Sequence, residues 1–287
     1  MTQNTSPDIL TADLIEDPQA YNLDVCIGSI ENPVVDFSIY SPDTANSLIY
    51  KSVPLTIDDD AIDAKSLREA IYENPLLTSD FNKTSIIIRS SQYMLVPLPL
   101  ADDREMIEKL LRERFSKVDD ETAIIINKLP KLNAAIVFGV DPEIYNLLNR
   151  VYNNPSIYSH FYPLLNYFND LREGGNYDAT FFNVTPNALD VVLFKNETDS
   201  LDTVRIIPFR TINDAAYYAI SYQQMTAGNL QGNILISGSR DARMQLVNSL
   251  KQFVDTVMPV VFPSQIFKLG RASMTMPFEL AVMPLCE

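Results

Sequence analysis

The chain has 287 residues, 46% hydrophobic and 21% charged, a composition typical of a globular protein long enough for two domains. With 22 basic and 37 acidic residues its formal charge is -15, which argues against nucleic-acid binding, because Lys and Arg must replace the counterions of a polyphosphate. No run approaches the ~20 apolar residues of a membrane span, and residues 1–17 do not resemble a signal peptide. We therefore predict a cytoplasmic protein without membrane insertion.

The cysteines and the single histidine match no known catalytic or metal-binding pattern. Cys26 and Cys286 have neither metal nor redox spacing, and Cys26 falls in an apolar strand, which predicts a buried, reduced thiol. His160 precedes an apolar helix, a position typical of a packed residue. We predict no catalytic residue and no metal site.

Residues 21–90 and 176–239 predict the same order of elements: three strands, a helix and a fourth strand. The first copy has runs at Leu23–Ile27, Val34–Tyr40, Ser47–Pro54, Ala64–Tyr72 and Ser85–Arg89. The second has runs at Ala179–Val184, Leu189–Phe194, Val204–Phe209, Ile212–Met225 and Asn233–Ile236. A duplicated unit predicts two similar domains that face each other across a cleft.

The segment between the two copies has strands and helices of its own, and Gly174-Gly175 ends it as a boundary. We predict a loose arm at 1–19 and a first unit at 20–173, with a subdomain inserted at about 92–160. The second unit and a C-terminal tail occupy 174–287. The tail from Met274 onward is apolar, so we expect it to pack against the body of the protein.

This element order is that of a ribonuclease-H-like unit, and two such units with an inserted α+β subdomain after the first form the α/β layout of the actin-like ATPase superfamily. Four segments carry a resemblance to an uncharacterised bacterial family, a domain of unknown function whose members look like actin-like ATPases. The segments are residues 23–28, 159–165, 234–239 and 285–287. The resemblance covers nearly all of residues 20–287, and the layout is similar to that of the pilus-assembly protein PilM and the division protein FtsA. This resemblance implies a fold, but it does not imply a particular reaction.

The resemblance implies a nucleotide clamp in which each unit contributes a phosphate loop containing Asp, Gly and Thr. In the first loop Cys26 stands in the place of Asp, and Pro33 removes a backbone donor. The second loop has no glycine, and Asn183 stands in the place of the carboxylate. In that superfamily the loop on the adenosine side is a strand followed by a pair of glycines. Here the corresponding residues 236–241 keep one glycine, Gly238. The residues available to bind a nucleotide are Gly28, Ser29, Asn183, Thr185, Ser237, Gly238 and Ser239.

Other reactions of this fold lack a candidate residue. A nuclease needs several carboxylates around one metal pair, and strand alternation leaves open which face Asp24 and Asp36 use. A sugar kinase or phosphatase would need a general-base Asp in the cleft, and none can be placed from the sequence.

Aromatic residues and methionines are interpreted mainly as core. A dense aromatic cluster, at Tyr152, Tyr158, Phe161, Tyr162, Tyr167 and Phe168, favours packing within and between domains, with a partner-binding surface as the alternative. The methionines of the last third are interpreted as core filling rather than as an adaptable binding face. They are Met225, Met244, Met258, Met274, Met276 and Met283.

The preferred hypothesis is a non-catalytic cytoplasmic scaffold or adaptor with a degenerate nucleotide cleft and no cofactor. It acts by contact with a protein partner that the sequence does not identify, and a homodimer is left open. The alternative is a divergent protein that binds Mg-ATP and hydrolyses it slowly or not at all. The sequence therefore leans towards a protein that is not an enzyme.

Overall fold

The computed structural model describes residues 15–58, 61–175, 179–194, 201–227 and 233–286. Most of the predicted N-terminal arm lies outside these residues, but Ile15 is buried and Pro18–Ala20 form a short 3₁₀ helix. Strands and helices follow in chain order: β1 (Asn22–Ser29), β2 (Asn32–Tyr40), β3 (Ile49–Pro54), β4 (Ile57–Asp58), β5 (Ala61–Ile62), α1 (Ala64–Tyr72), β6 (Lys83–Ile88), β7 (Tyr93–Pro97), α2 (Arg104–Arg114), β8 (Ala123–Leu129), β9 (Ala134–Val140), α3 (Pro142–Val151), β10 (Ser156–Ser159), α4 (Phe161–Glu173), β11 (Thr180–Val184), β12 (Ala188–Phe194), β13 (Leu201–Pro208), α5 (Ile212–Ala227), β14 (Ile234–Gly238), α6 (Arg240–Leu250), β15 (Val257–Pro259), α7 (Ser264–Leu269) and α8 (Phe278–Val282).

Two five-stranded sheets have the same strand order. The first runs β10-β6-β1-β2-β3 and the second runs β15-β14-β11-β12-β13. In each, the first three strands pair antiparallel, while the fourth and fifth pair parallel. Parallel neighbours require a crossover connection, and α1 and α5 supply one for each fourth strand. The predicted duplication therefore extends to a fifth strand in each unit.

The fifth strand of the first unit lies within the range predicted for the inserted subdomain. β10 nevertheless pairs with β6, so it belongs to the first sheet. On its outer side the Asn127 side chain accepts from the Ser159 backbone at 2.7 Å and donates to the Ile157 carbonyl at 2.9 Å. A four-residue strand lacks a clear alternation, so the sequence did not reveal its partner. The separate sheet of the insertion is β7-β9-β8, packed under α2.

The main core continues from the first unit into the second. Phe168 of α4 stacks on Phe181 of β11 at 4.9 Å, and both side chains are fully buried. In the aromatic cluster Tyr152 and Phe161 are also buried, whereas the other three tyrosines are half-buried. The interpretation of this cluster as core and interdomain packing is confirmed.

The C-terminal tail packs against the body as predicted. Its apolar residues form the buried helix α8, with Met276 and Met283 beside it. The core interpretation of the methionines is wrong for the other four, because they lie on outward faces and are 40–79% exposed. They are Met225, Met244, Met258 and Met274. Neither Cys26 nor Cys286 forms a disulfide in the described structure, and Cys26 is buried, as predicted.

Candidate functional site

Strand register brings polar residues of both sheets to the cleft between the units. Asp36 of β2 lies opposite Cys26 of β1, and Asp190 of β12 lies opposite Asn183 of β11. The two aspartates thus occupy corresponding positions in the duplicated units. Asp24, two residues before Cys26, shares the face of Asp36. Asp24, Asp36 and Asp190 are at most 3% exposed.

Arg89, which directly follows β6, bridges the two units at the bottom of the cleft. Its Nη1 and Nη2 donate to Asp190 Oδ1 and Oδ2 at 2.7 and 2.9 Å, a bidentate pair. Nη2 also donates to Glu279 Oε1 of α8 at 2.6 Å. One buried guanidinium therefore joins the first sheet, the second sheet and the C-terminal helix.

Neutral side chains complete this network. Asn183 Nδ2 donates to Asp190 Oδ2 at 2.8 Å and reaches Glu279 Oε2 at 3.4 Å. The hydroxyl of Ser237 donates to Asn183 Oδ1 at 3.0 Å. His160 Nε2 lies 3.7 Å from Asp190 Oδ1, in a fully buried position. The carboxylate of Asp190 is therefore surrounded by donors and by one positive charge.

Burial and charge shift the pKa values of these groups in opposite directions. Burial opposes the ionisation of Asp190, but the charge of Arg89 and the hydrogen bonds outweigh it, so the pKa of Asp190 lies well below its usual value. Burial, helped by the Arg89 charge, lowers the pKa of His160. At neutral pH the cleft therefore holds a charged Arg89, an ionised Asp190 and a neutral His160.

A cavity of about 250 Å³ remains beside the bridge, between the first hairpins of the two units and the C-terminal segment. Tyr50 donates to Asp36 Oδ1 at 2.7 Å on one wall. Burial raises the pKa of Asp36, and it also raises the pKa of Tyr50 and of the Cys26 thiol. Pro277, Phe278 and Glu279 line the opposite wall, so α8 closes the cleft on that side.

The structure brings most of the predicted nucleotide residues to this region. Gly28, Thr185, Gly238 and Ser239 line the cavity. Asn183 and Ser237 lie in the Arg89 network, and Ser29 pairs with Asn32 at the end of the first hairpin.

Two of these glycines are required by the backbone itself. Gly238 has a φ of +116°, and a Cβ there would lie 2.0 Å from the Val184 carbonyl oxygen. A Cβ on Gly28 would lie 2.2 Å from the Asn32 carbonyl oxygen. Both glycines therefore permit close approach of neighbouring strands, whether or not a ligand binds.

Sequence reasoning missed the central residues of the site. Arg89, Asp190 and Glu279 each stand as a single charge within or beside an apolar run: Ile86–Ile88, Leu189–Phe194 and the tail. A lone charge in a buried strand signals a partner elsewhere in the fold. That signal was available, but it does not identify the partner, which lies 101 or 190 residues away.

The paired sheets facing one cleft, with a subdomain inserted after the first, define an α/β protein with the actin-like ATPase fold. A protein of that fold and unknown function from Bacteroides thetaiotaomicron is 24% identical, with a TM-score of 0.68, and covers 85% of this chain and 91% of its own. Residues 17–257 match the model of DUF3822, a protein family of unknown function. The chain therefore belongs to the DUF3822 family.

Two further solved structures are similar. PilM, in the PilM–PilN type IV pilus biogenesis complex, is 14% identical with a TM-score of 0.50, covering 85% of this chain and 89% of that one. The cytoplasmic domain of EpsL from Vibrio cholerae is 12% identical with a TM-score of 0.47, covering 75% and 81%. A comparison with curated proteins found no match. Among the described residues no helix is long and apolar enough to cross a membrane.

Proposed function

We propose that this protein is a non-catalytic cytoplasmic adaptor of actin-like fold, in which an internal ion-pair network has replaced the nucleotide of the cleft. The observation that carries the proposal is the bridge from Arg89 to Asp190 and Glu279. In a clamp that works by binding nucleotide, the ligand joins the two units. Here side chains of the protein join them, so the closed arrangement needs no ligand.

The size and charge of the cavity support this proposal. Its volume of about 250 Å³ is below the ~300–1,000 Å³ that enclose a drug-sized ligand. Its wall contains the carboxyl groups of Asp36 and Glu279, and the one cation among the described residues that line it, Arg89, is already paired. A triphosphate in this place would meet negative charge without an available counter-charge.

In the second phosphate loop, groups that could bind a phosphate already form hydrogen bonds within the loop. The Thr185 hydroxyl donates to the Ala188 carbonyl at 3.0 Å and accepts from the Ala188 backbone at 3.1 Å. Pro186 follows it and has no N–H to offer a phosphate. The residues of this loop therefore stabilise a turn.

Protein contact is the remaining role for a clamp of this kind. PilM was solved in complex with PilN, which illustrates that this fold can serve as a binding partner. We infer the same type of role for this chain, with a partner still to be identified.

One observation favours a second candidate, a divergent Mg-ATP-binding protein. Four of the predicted nucleotide residues line a single cavity in the cleft: Gly28, Thr185, Gly238 and Ser239. In this alternative the segment around α8 would have to move before a nucleotide could enter, because it forms one wall of that cavity.

Thermal unfolding with and without Mg-ATP, Mg-ADP and Mg-GTP tests the two candidates. A ligand at one hundred times its Kd adds about 2.7 kcal/mol of stability. The adaptor proposal predicts no change of Tm at millimolar nucleotide. An increase that is lost in Ser239→Phe, which fills the cavity, but kept in Ser264→Phe, on exposed surface, would refute it and support nucleotide binding.

A further inference from the structure

A second cavity, of about 390 Å³, lies beside the amino ends of β6 and β10 in the first sheet. The parallel pairing of these strands begins at Ser85 and Ser156, whereas β6 itself begins two residues earlier, at Lys83. Asn154, two residues before β10, has a φ of +51°, a left-handed conformation typical of turns. β10 therefore stops short of the first residues of β6, and the cavity occupies the space beside them.

The wall of this cavity is mainly polar. Residues 78–84, the end of α3 with the loop after it at 151–154, and Ser156 form the wall. The described residues that line it contribute four Ser or Thr hydroxyls, three Asn side chains, the Tyr152 hydroxyl, one carboxylate and one ammonium group. The carboxylate belongs to Asp80 and the ammonium group to Lys83, so the charges of the wall cancel.

Several of the hydroxyls in this wall have no hydrogen bond to another described residue. Tyr152 is 4% exposed, and its hydroxyl is buried without a partner in the described ranges. Ser79, Thr84 and Ser156 are half-buried, and their hydroxyls also form no hydrogen bond within the part of the chain that the structure describes. Burying a hydroxyl without a partner is unfavourable. A ligand that supplies the missing partners would therefore bind favourably in this cavity.

The chemistry of the wall selects one class of ligand. Small-molecule sites are usually lined mainly by apolar side chains, so this polar wall disfavours an apolar ligand. The balanced charges of Asp80 and Lys83 favour neither an anion nor a cation. A hydroxyl both donates and accepts, and a carboxamide has groups of both kinds. Ligand hydroxyls have the same double capacity, so a molecule that carries several of them matches this wall.

We propose that this cavity binds a small neutral polyhydroxyl molecule, no larger than a disaccharide, with the Tyr152 hydroxyl as one of its hydrogen-bond partners. The volume of about 390 Å³ lies within the ~300–1,000 Å³ typical of small-molecule sites. Arg89, at the cleft, follows the opposite end of β6, about 20 Å away at ~3.3 Å per residue. The proposal therefore goes beyond the adaptor function, and the failure of either proposal leaves the other standing.

Saturation-transfer difference NMR of the full chain tests the proposal with four neutral probes: D-glucose, N-acetyl-D-glucosamine, maltose and myo-inositol, each at about 10 mM. We expect saturation transfer to at least one of them, and a titration of that probe should give a Kd below about 10 mM. Citrate and glycine, an anion and a zwitterion, serve as charged probes. They should receive much less saturation, because the wall has no net charge.

Substitutions assign the binding to this cavity. Tyr152→Phe removes only the hydroxyl and should raise the Kd of the bound probe at least about fivefold. Its Tm should stay the same or rise, because in the free protein the hydroxyl has no described partner to lose. Tyr145→Phe, at a half-buried position of the same helix outside the wall, should leave the Kd unchanged. Ser79→Trp fills the cavity and should abolish binding, whereas Ser264→Trp, on exposed surface, should not.

Four results would overturn the proposal. The first is no saturation transfer to any of the neutral probes, and the second is transfer to citrate or glycine alone. The third is binding that survives both Tyr152→Phe and Ser79→Trp, because the probe would then bind elsewhere. The fourth is a fall in the Tm of Tyr152→Phe without a change in Kd, which would assign the hydroxyl to the packing of the protein instead.

Discussion

Replacing Arg89 by methionine removes the one positive charge of the buried network and keeps a side chain of similar length. Asp190 and Glu279 then remain buried, close together and without a cation. Breaking a buried ion pair from one side costs about 3–5 kcal/mol. We therefore expect the free energy of unfolding to fall by about 4 kcal/mol and Tm to fall by roughly 8–16 °C, at ~2–4 °C per kcal/mol.

The loss should depend on pH in a defined direction. In the wild type the pKa of Asp190 lies below its unfolded value near ~3.9, so its ionised form stabilises the fold above that pH and this contribution is lost on acidification. In Arg89→Met burial still opposes the ionisation of Asp190 but the opposing charge of Arg89 is gone, so protonation of Asp190 relieves part of the penalty. The difference in stability between the two proteins should therefore narrow as the pH falls from 7 to about 4.

Urea unfolding followed by far-UV circular dichroism measures both effects, since the chain has no Trp to report on packing. Burial and the Arg89 charge both lower the pKa of His160, so its protonation destabilises the wild type below the unfolded pKa of ~6.5. Arg89→Met loses the second of these causes, so the His160 penalty is smaller in the variant and also narrows the difference between the two curves on acidification. Arg68→Met, at an exposed position of α1, should change stability by less than about 0.5 kcal/mol. A loss below about 1 kcal/mol for Arg89→Met, or a loss that does not vary with pH, would refute the role assigned to the bridge.

Three further substitutions test other parts of the structure. Asp36→Asn should stabilise the protein at pH 7, because burial raises the pKa of Asp36 and its ionised form is unfavourable; the gain should vanish in urea titrations below pH ~4. Gly238→Ala should lower Tm by more than Gly175→Ala, costing upwards of about 2 kcal/mol, since both have positive φ but only Gly238 meets a neighbouring backbone; equal costs would contradict this reasoning. Asn127→Ala should cost about 1–3 kcal/mol and speed amide exchange in β10, and unchanged exchange there would show that Asn127 does not hold the strand.

The elements formed by local patterns were predictable from the sequence. The apolar runs of β1, β2, β11 and β12 and the apolar spacing of α3 depend on neighbours within a few residues, so the duplicated order could be derived from them. The buried tail was predictable from its apolar content alone. β10 was placed wrongly because four residues do not define which sheet they join.

The candidate site could be predicted only in part. Gly28, Thr185, Gly238 and Ser239 were selected as cleft residues and line one cavity, since turns between strands of a duplicated unit meet at the same cleft. The prediction that the four exposed methionines lie in the core was wrong, because the hydropathy of a residue does not show whether another element packs against it. Met244, for example, lies on α6 but points away from the core that Leu246 and Val247 enter.

By itself, the sequence determined the duplicated α/β architecture of this DUF3822 protein and which residues stand in the turns of its first hairpins, because both follow from short-range patterns. Only the tertiary structure decided what occupies the cleft. Arg89, Asp190 and Glu279 come from three distant parts of the chain, and each charge is tolerable in the core only because folding brings the other two within hydrogen-bonding distance.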